Sequence, residues 1–86
     1  MIHDEQLYQL GEIPLGCEVT IKRLRYHAPS VSTRLRELGI RENVVIRPLL
    51  RANGNMICAI NNMRIGLDES LAEAILVVLP VESNVA

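Results

Sequence analysis

In this 86-residue chain, two histidines are the first candidates for a metal-binding site. His3 stands beside Asp4, and His27 lies further along the chain. Imidazole and carboxylate groups both bind Fe(II) or Zn(II), so His3, Asp4 and His27 are the candidate metal ligands. The histidines lack the spacing of a zinc motif, and we therefore expect a solvated terminal segment instead of a metal centre. Weak transition-metal binding through these three residues stays open as the alternative.

The two cysteines offer a second kind of reactive group. Cys17 and Cys58 form no CxxC motif, and the N-terminus shows no secretory signal. Each lies in an alternating apolar run, so we expect both thiols to be small buried hydrophobic groups. The sequence also contains no nucleophile-elbow, phosphate-loop or zinc-protease motif. These observations predict a protein that is not an enzyme and needs no cofactor.

Charge is unevenly distributed along the chain, although the net charge is only −1. Between Lys22 and Arg51 there are eight basic residues but only two acidic ones, Glu37 and Glu42. One interpretation is an ordinary solvated surface, and the other is a basic face that meets an acidic partner or a phosphate. Aromatic residues make up only 2% of the chain, which argues against base stacking and therefore against nucleic-acid binding.

A short helix over residues 30–40 must position several of these arginines. Its apolar residues recur with helical spacing at Val31, Leu35 and Leu38. Ser30 is expected to cap the start of the helix, because its hydroxyl can accept a hydrogen bond from the first turn. Gly39 is expected to end it, because glycine adopts the left-handed conformation without steric cost.

The polar side of this helix and the tip of a later hairpin form the predicted partner-binding surface. Exposed arginines are common interface anchors, and binding residues gather on loops. Asn53-Gly54 is the clearest hairpin signal, since both residues accept positive φ. The predicted contact residues are Arg34, Arg36 and Glu37 on the helix, and Arg51, Asn53, Gly54 and Asn55 at the hairpin.

Five segments have strand character, and we expect them to close into a small, mainly β barrel. They cover residues 17–25, 44–50, 56–60, 63–67 and 75–79, and the helix follows the first of them. Residues 44–50 are apolar on both faces, although Pro48 indicates a bulge. We expect one domain over residues 1–86, with a core at about 10–79. No apolar run approaches the roughly 18 residues of a membrane span, so we expect a cytoplasmic protein.

Three patterns together resemble one family, FeoA, an accessory protein of bacterial ferrous iron uptake. The first is an LxxIxxG pattern at Leu10, Ile13 and Gly16. The second is an RLxELGI pattern over residues 34–40, which includes Leu35, Leu38 and Gly39. The third is Ile65-Gly66-Leu67, followed by the sequence at residues 73–77. The resemblance covers residues 10–79.

This resemblance implies an SH3-like β-barrel of about five strands, with one short helix inserted after the first strand. It also implies a non-enzymatic regulatory module that binds the cytosolic part of FeoB, the membrane ferrous iron transporter. Contact with the membrane would then occur only through that partner, and no nucleic acid would be bound. A small Fe- or Zn-sensing module is the alternative function, and self-association stays open. The family usually has Pro-Gly where this chain has Glu42-Asn43, and Asn43 can keep the positive φ of that turn.

Overall fold

The fold is a single antiparallel sheet with two short helices, seen in a computed structural model that describes residues 6–25 and 29–80. In chain order its elements are β1 (Tyr8–Gln9), β2 (Val19–Leu24), α1 (Pro29–Glu37), β3 (Val45–Ala52), β4 (Asn55–Ile60), β5 (Met63–Asp68), α2 (Glu69–Ala74) and β6 (Ile75–Val78). A 3-10 turn, Leu10–Glu12, follows β1. The strand order is β1-β6-β2-β3-β4-β5.

Alternation along the strands creates one shared hydrophobic core. Ile46 in β3, Cys58 in β4 and Leu67 in β5 point inward and are at most 1% exposed. Leu10 from the 3-10 turn and Ile75 from β6 join the same cluster. Because side chains from both ends of the sheet meet in one core, the sheet curls around it. The prediction of a mainly β fold is therefore confirmed.

The strand count differs slightly from the expectation. The described residues contain six strands, because Tyr8–Gln9 pairs with β6 through Tyr8 and Val77. A two-residue strand carries no alternation, so the sequence gives no signal for it. α1 consequently follows the second strand. α2 is a second helix, and it begins after Asp68, whose Oδ1 accepts a hydrogen bond from Leu71 N at 2.9 Å.

Both hairpin connections in the β3–β5 region use residues with positive φ. Asn53 and Gly54 have φ values of 54° and 78° and join Ala52 to its partner Asn55. Asn61 and Asn62 have φ values of 49° and 64° in the next hairpin. Positive φ at both central residues matches the right-handed twist of the flanking strands. The predicted Asn-Gly hairpin is therefore confirmed.

α1 ends as the sequence predicts but begins differently. Gly39 has φ +80°, and Ile40 N donates to Leu35 O at 3.0 Å, which is the hydrogen bond of a Schellman cap. Leu35 is fully buried, and Val31 and Leu38 pack against the core. Ser30 lies inside the helix as its second residue instead of capping it. Pro29 takes the first helical position, which suits a residue without an N–H group.

β3 occupies the centre of the sheet, but only one of its faces is buried. Val45 is 45% exposed and Leu50 is 53% exposed on the outer side. The segment is apolar on both faces in the sequence, but within residues 6–25 and 29–80 no second layer covers its outer side. The predicted bulge is present, since the register with β4 shifts between Pro48 and Leu50. Gly16, at φ +86°, donates its N–H to Pro48 O at 2.7 Å.

α1 runs alongside β5 in the opposite direction. Its first turn shares a groove with Asp68, the last residue of β5. At its other end, a Cβ placed on Gly39 would lie 3.9 Å from Nδ2 of Asn61, which precedes β5. Arg34 of α1 therefore lies beside the end of β5. Neither of these helices, in the part of the chain described here, has the length and apolar character needed to cross a membrane.

Candidate partner-binding surface

A groove between α1 and the outer face of β4 and β5 brings the two parts of the predicted surface together. Arg34 from the helix and Asn55 from the hairpin both line it, although they are 21 positions apart in the sequence. The groove has a volume of about 580 Å³. Its lining is Ser30, Val31, Arg34, Asn55, Ile57, Gly66, Leu67, Asp68, Ser70 and Leu71. It thus offers an apolar floor with polar and charged groups at the rim.

The floor of this groove is formed by Ile57 and Gly66, which are paired in register across β4 and β5. Gly66 has no side chain, so the half-buried Ile57 stays accessible from solvent. A Cβ placed on Gly66 would lie 3.6 Å from Cδ1 of Ile57, an ordinary van der Waals contact. The glycine therefore serves to leave the floor open. No strained backbone conformation requires it.

The hairpin tip lies between this groove and a second one. Asn53 and Gly54 line a cavity of about 460 Å³ that also includes Asn55. Asp68 lines both grooves, so the surface is continuous across the tip. Arg34 and the three hairpin residues Asn53, Gly54 and Asn55 consequently belong to one region of the molecule.

Arg51 is engaged within the molecule. Its Nη2 atom donates to Gly11 O at 2.7 Å and to Ile13 O at 2.5 Å. These carbonyls belong to the 3-10 turn and the residue that ends it, so the guanidinium fastens β3 to the segment after β1. A charged donor makes a stronger hydrogen bond than a neutral one. Arg51 therefore has a structural contact, and its predicted contact with a partner stays a prediction.

The second groove is rich in acidic residues, two of which are already hydrogen-bonded. Glu12 Oε1 accepts from Gln9 N at 2.9 Å, and Asp68 Oδ1 caps α2. Glu69 and Glu73 also line the groove and are exposed. Of these carboxylates, Asp68 also lines the groove of Arg34, whereas Glu12, Glu69 and Glu73 line only the second groove. The surface is thus basic at one end and acidic at the other.

Arg36 and Glu37 do not share the groove of Arg34. Residues two apart on a helix point in nearly opposite directions, and Arg36 lines a separate recess with Leu24 and Arg41. Glu37 is exposed at the last position of α1 and lines none of the described grooves. The structure therefore brings Arg34 together with the hairpin tip but separates both from Arg36.

The candidate metal ligands cannot be placed. His3, Asp4 and His27 all lie outside the described residues. Within residues 6–25 and 29–80, no group of three or more His, Cys, Asp or Glu side chains could hold a metal ion. Cys58 is fully buried, as expected, whereas Cys17 is half-buried. Burial raises the pKa of the Cys58 thiol to about 11, and the charge of Arg51 acts in the opposite direction.

The residues that resemble the FeoA patterns have structural roles. Leu10, Ile13 and Leu35 are at most 2% exposed, and Leu38 packs against the same core. Gly16 and Gly39 take the positive φ values described above. The sequence reasoning missed Ile57, Gly66 and Asp68, which complete the groove. The alternation of β4 and β5 around the Asn61-Asn62 turn is a signal from which their common face could have been found.

Comparisons with known proteins agree with this architecture. Residues 8–79 match the model of the FeoA domain family. A manganese-dependent transcriptional repressor superposes with a TM-score of 0.85 at 25% identity, over 92% of this chain and 45% of the repressor. The chain thus spans less than half of that protein. A search of curated proteins finds no match.

Two smaller proteins superpose over most of their length. The FeoA-like protein of Clostridium acetobutylicum has a TM-score of 0.80 at 18% identity, over 93% of each chain. The FeoA of Stenotrophomonas maltophilia, complexed with zinc and described as a procaryotic SH3 domain protein, has a TM-score of 0.69. It is 22% identical, over 79% of this chain and 86% of its own. The SH3-like fold is confirmed, and because the family model matches residues 8–79 of 86, this chain belongs to the FeoA family.

Proposed function

We propose that this chain is a non-enzymatic accessory module of ferrous iron uptake that binds the cytosolic part of a FeoB-type transporter. The observation that carries the proposal is the family match over residues 8–79. Similar proteins agree with this role, since one FeoA of known structure is described as an iron uptake regulatory protein. The S. maltophilia protein is described as possibly acting as a ferrous iron transport activating factor.

The groove beside α1 is the contact surface that we assign to this function. It joins Arg34 to Asn55, and its floor of Ile57 and Gly66 offers apolar surface next to these polar groups. Interfaces commonly combine an apolar centre with a polar rim. The hairpin residues Asn53 and Gly54 extend the surface, whereas Arg36 and Glu37 would make contact only with a partner that wraps around α1.

Calorimetric titration with the isolated cytosolic domain of the cognate transporter tests this proposal. It should be run without nucleotide, with GDP and with a non-hydrolysable GTP analogue, each at two salt concentrations. Saturable binding in at least one state is expected. Binding that weakens at high salt would implicate the charged rim. Absence of binding in every state would refute the proposal.

A matched pair of helix variants locates the contact. Arg34→Glu and Arg36→Glu make the same change of charge on the same helix, but only Arg34 lines the groove. We expect Arg34→Glu to weaken binding about tenfold or more, and Arg36→Glu to have a smaller effect. Unchanged binding by the Arg34 variant would show that the groove is not the contact.

The alternative of a metal-sensing module through His3, Asp4 and His27 stays a prediction. Calorimetry of the complete chain with Fe(II) or Zn(II) at micromolar concentration tests it directly. A measured binding event that disappears on His3→Ala would support it, and no heat of binding would dispose of it.

A further inference from the structure

The outer face of β3, β4 and β5 carries an arrangement of side chains that overlaps the groove beside α1 only at Ile57 and Gly66. The strand register places Arg47, Ala59 and Arg64 side by side in one row, with alanine in the middle. Leu50 and Ile57 are paired in the neighbouring row, and Ile57 is paired with Gly66. A basic row and an apolar row therefore lie next to each other across three strands.

The basic row holds two positive charges, those of Arg47 and Arg64. Neighbouring strands are about 4.8 Å apart, so the Cα atoms of Arg47 and Arg64 are separated by about 10 Å. Both arginines are exposed, and within the described residues neither guanidinium group makes a hydrogen bond or an ion pair. The methyl group of Ala59 leaves space between them, and Glu18 is the one acidic residue lining the cavity of about 660 Å³ at this position.

Two guanidinium groups on either side of a small residue can bind a carboxylate between them. Each guanidinium presents planar N–H donors that match the two oxygens of a carboxylate, and the two like charges repel each other until an anion lies between them. No pair of acidic side chains balances them from within the described part of the sheet. The row thus favours a negatively charged ligand.

The apolar row indicates that this ligand is part of a protein. Leu50 is 53% exposed, which is unusual for a leucine at the centre of a sheet, and Ile57 is half-buried beside it. Because Leu50 and Ile57 are paired across β3 and β4, they form one small apolar surface on which a side chain of a protein can pack. A nucleic acid would instead require a longer basic stripe and aromatic groups, whereas this chain carries a net charge of −1 and 2% aromatic residues.

We infer that this outer face, with Arg47 and Arg64 around Ala59, binds an acidic segment of a partner protein that has an apolar residue next to its carboxylate. The apolar side chain packs on Leu50 and Ile57 while the carboxylate lies between the arginines. The face is continuous with the groove beside α1, because Ile57 and Gly66 belong to both. The inference rests on the proposed function, because the acidic segment expected on this face belongs to the transporter.

A matched pair of double variants tests the inference in the titration with the transporter's cytosolic domain. Arg47→Glu/Arg64→Glu reverses the basic row, and Arg23→Glu/Arg41→Glu makes the same change at exposed arginines elsewhere. Each double variant changes the net charge from −1 to −5, since each substitution removes one positive charge and adds one negative charge. We expect the first to weaken binding by about a hundredfold and the second by less than about threefold.

A synthetic peptide separates the failure of this inference from the failure of the proposed function. The probe is a short peptide of alternating leucine and glutamate, and the control peptide has lysine in place of glutamate. In NMR titration we expect the amide signals of Arg47, Ala59 and Arg64 to shift with the acidic peptide only. If the transporter domain does not bind, the proposed function fails, and the peptide result still decides the inference.

Three results would overturn the inference. The first is equal loss of transporter binding in the two double variants, which would show a general charge effect. The second is an acidic peptide that leaves the amide signals of the basic row unchanged. The third is binding of a DNA duplex to the wild-type chain with a steep salt dependence that Arg47→Glu/Arg64→Glu removes, which would assign the row to phosphate.

Discussion

Replacing Arg51 by methionine should destabilise the protein although the side chain lies at the surface. The arginine Nη2 donates to Gly11 O at 2.7 Å and to Ile13 O at 2.5 Å. Methionine keeps much of the aliphatic stem but makes neither hydrogen bond. The 3-10 turn and the residues after it would then lose their direct link to β3.

The expected magnitude follows from these two contacts. A hydrogen bond with a charged donor contributes about 1.5–3 kcal/mol when it is well shielded. Here one nitrogen supplies both bonds, and Arg51 is exposed, so solvent replaces part of the interaction. We therefore expect a loss of about 2 kcal/mol in the free energy of unfolding, which corresponds to a decrease in Tm of about 10 °C for a domain of this size.

Thermal unfolding and amide hydrogen exchange measure this effect. Arg47→Met is the matched control, because Arg47 lies on the same strand, is exposed and makes no side-chain hydrogen bond to any residue that the structure describes. Its stability should stay within about 0.5 kcal/mol of wild type. In Arg51→Met the amide of Ile13, which bonds to Leu10 O at 3.1 Å, should exchange faster. Equal Tm values for the two variants would refute the reasoning.

Three further predictions concern local features of the fold. Gly39→Ala should lower the free energy of unfolding by about 1–2 kcal/mol, because φ is +80° at this position. Gly66→Ala is the control and should change the free energy of unfolding little, because Gly66 does not have positive φ. Urea unfolding of the two variants measures the difference. Asp68→Ala should lower the free energy of unfolding by about 1 kcal/mol, because α2 loses its N-terminal cap. Asp68→Asn should keep most of this stability, because the asparagine side chain can also cap the helix. An alanine variant as stable as wild type would contradict the capping role. Wild type should lose stability as pH rises from about 9 towards about 11, because the thiol of Cys58 ionises in the unfolded chain before it does in the buried site. The loss of stability approaches about 1.4 kcal/mol per pH unit. Cys58→Ala is less stable overall but should not show this pH dependence. If urea unfolding gave the same slope of stability against pH for wild type and Cys58→Ala, the assignment of the effect to Cys58 would be contradicted.

The parts of the fold that depend on local chemistry could be predicted from the sequence. The cap at Gly39 after the end of α1 follows from the readiness of glycine to adopt positive φ, and the Asn53-Gly54 turn follows from the same preference. The inward positions of Leu35 and Cys58 follow from periodicity alone. These features each depend on a few neighbouring residues, so a single sequence is sufficient to identify them.

The surface could be predicted only in part, because it depends on contacts between distant residues. Arg34 and Asn55 share a groove, but only the packing of α1 along β5 brings them together. Arg51 was predicted as a partner contact, yet its guanidinium bonds to a carbonyl 40 residues earlier in the chain, for which no local pattern exists. The row of Arg47 and Arg64 likewise requires the register of three strands and a bulge.

The initial rate of ferrous iron uptake tests the central claim most directly. It should be measured in proteoliposomes that contain the cognate transporter, with increasing amounts of this chain on the cytosolic side. We predict a saturable change in rate with the wild-type chain, a weaker change with Arg34→Glu, and a change close to wild type with Arg36→Glu. A rate that is the same with and without the chain, at concentrations that saturate the isolated cytosolic domain, would contradict the assigned role in iron uptake.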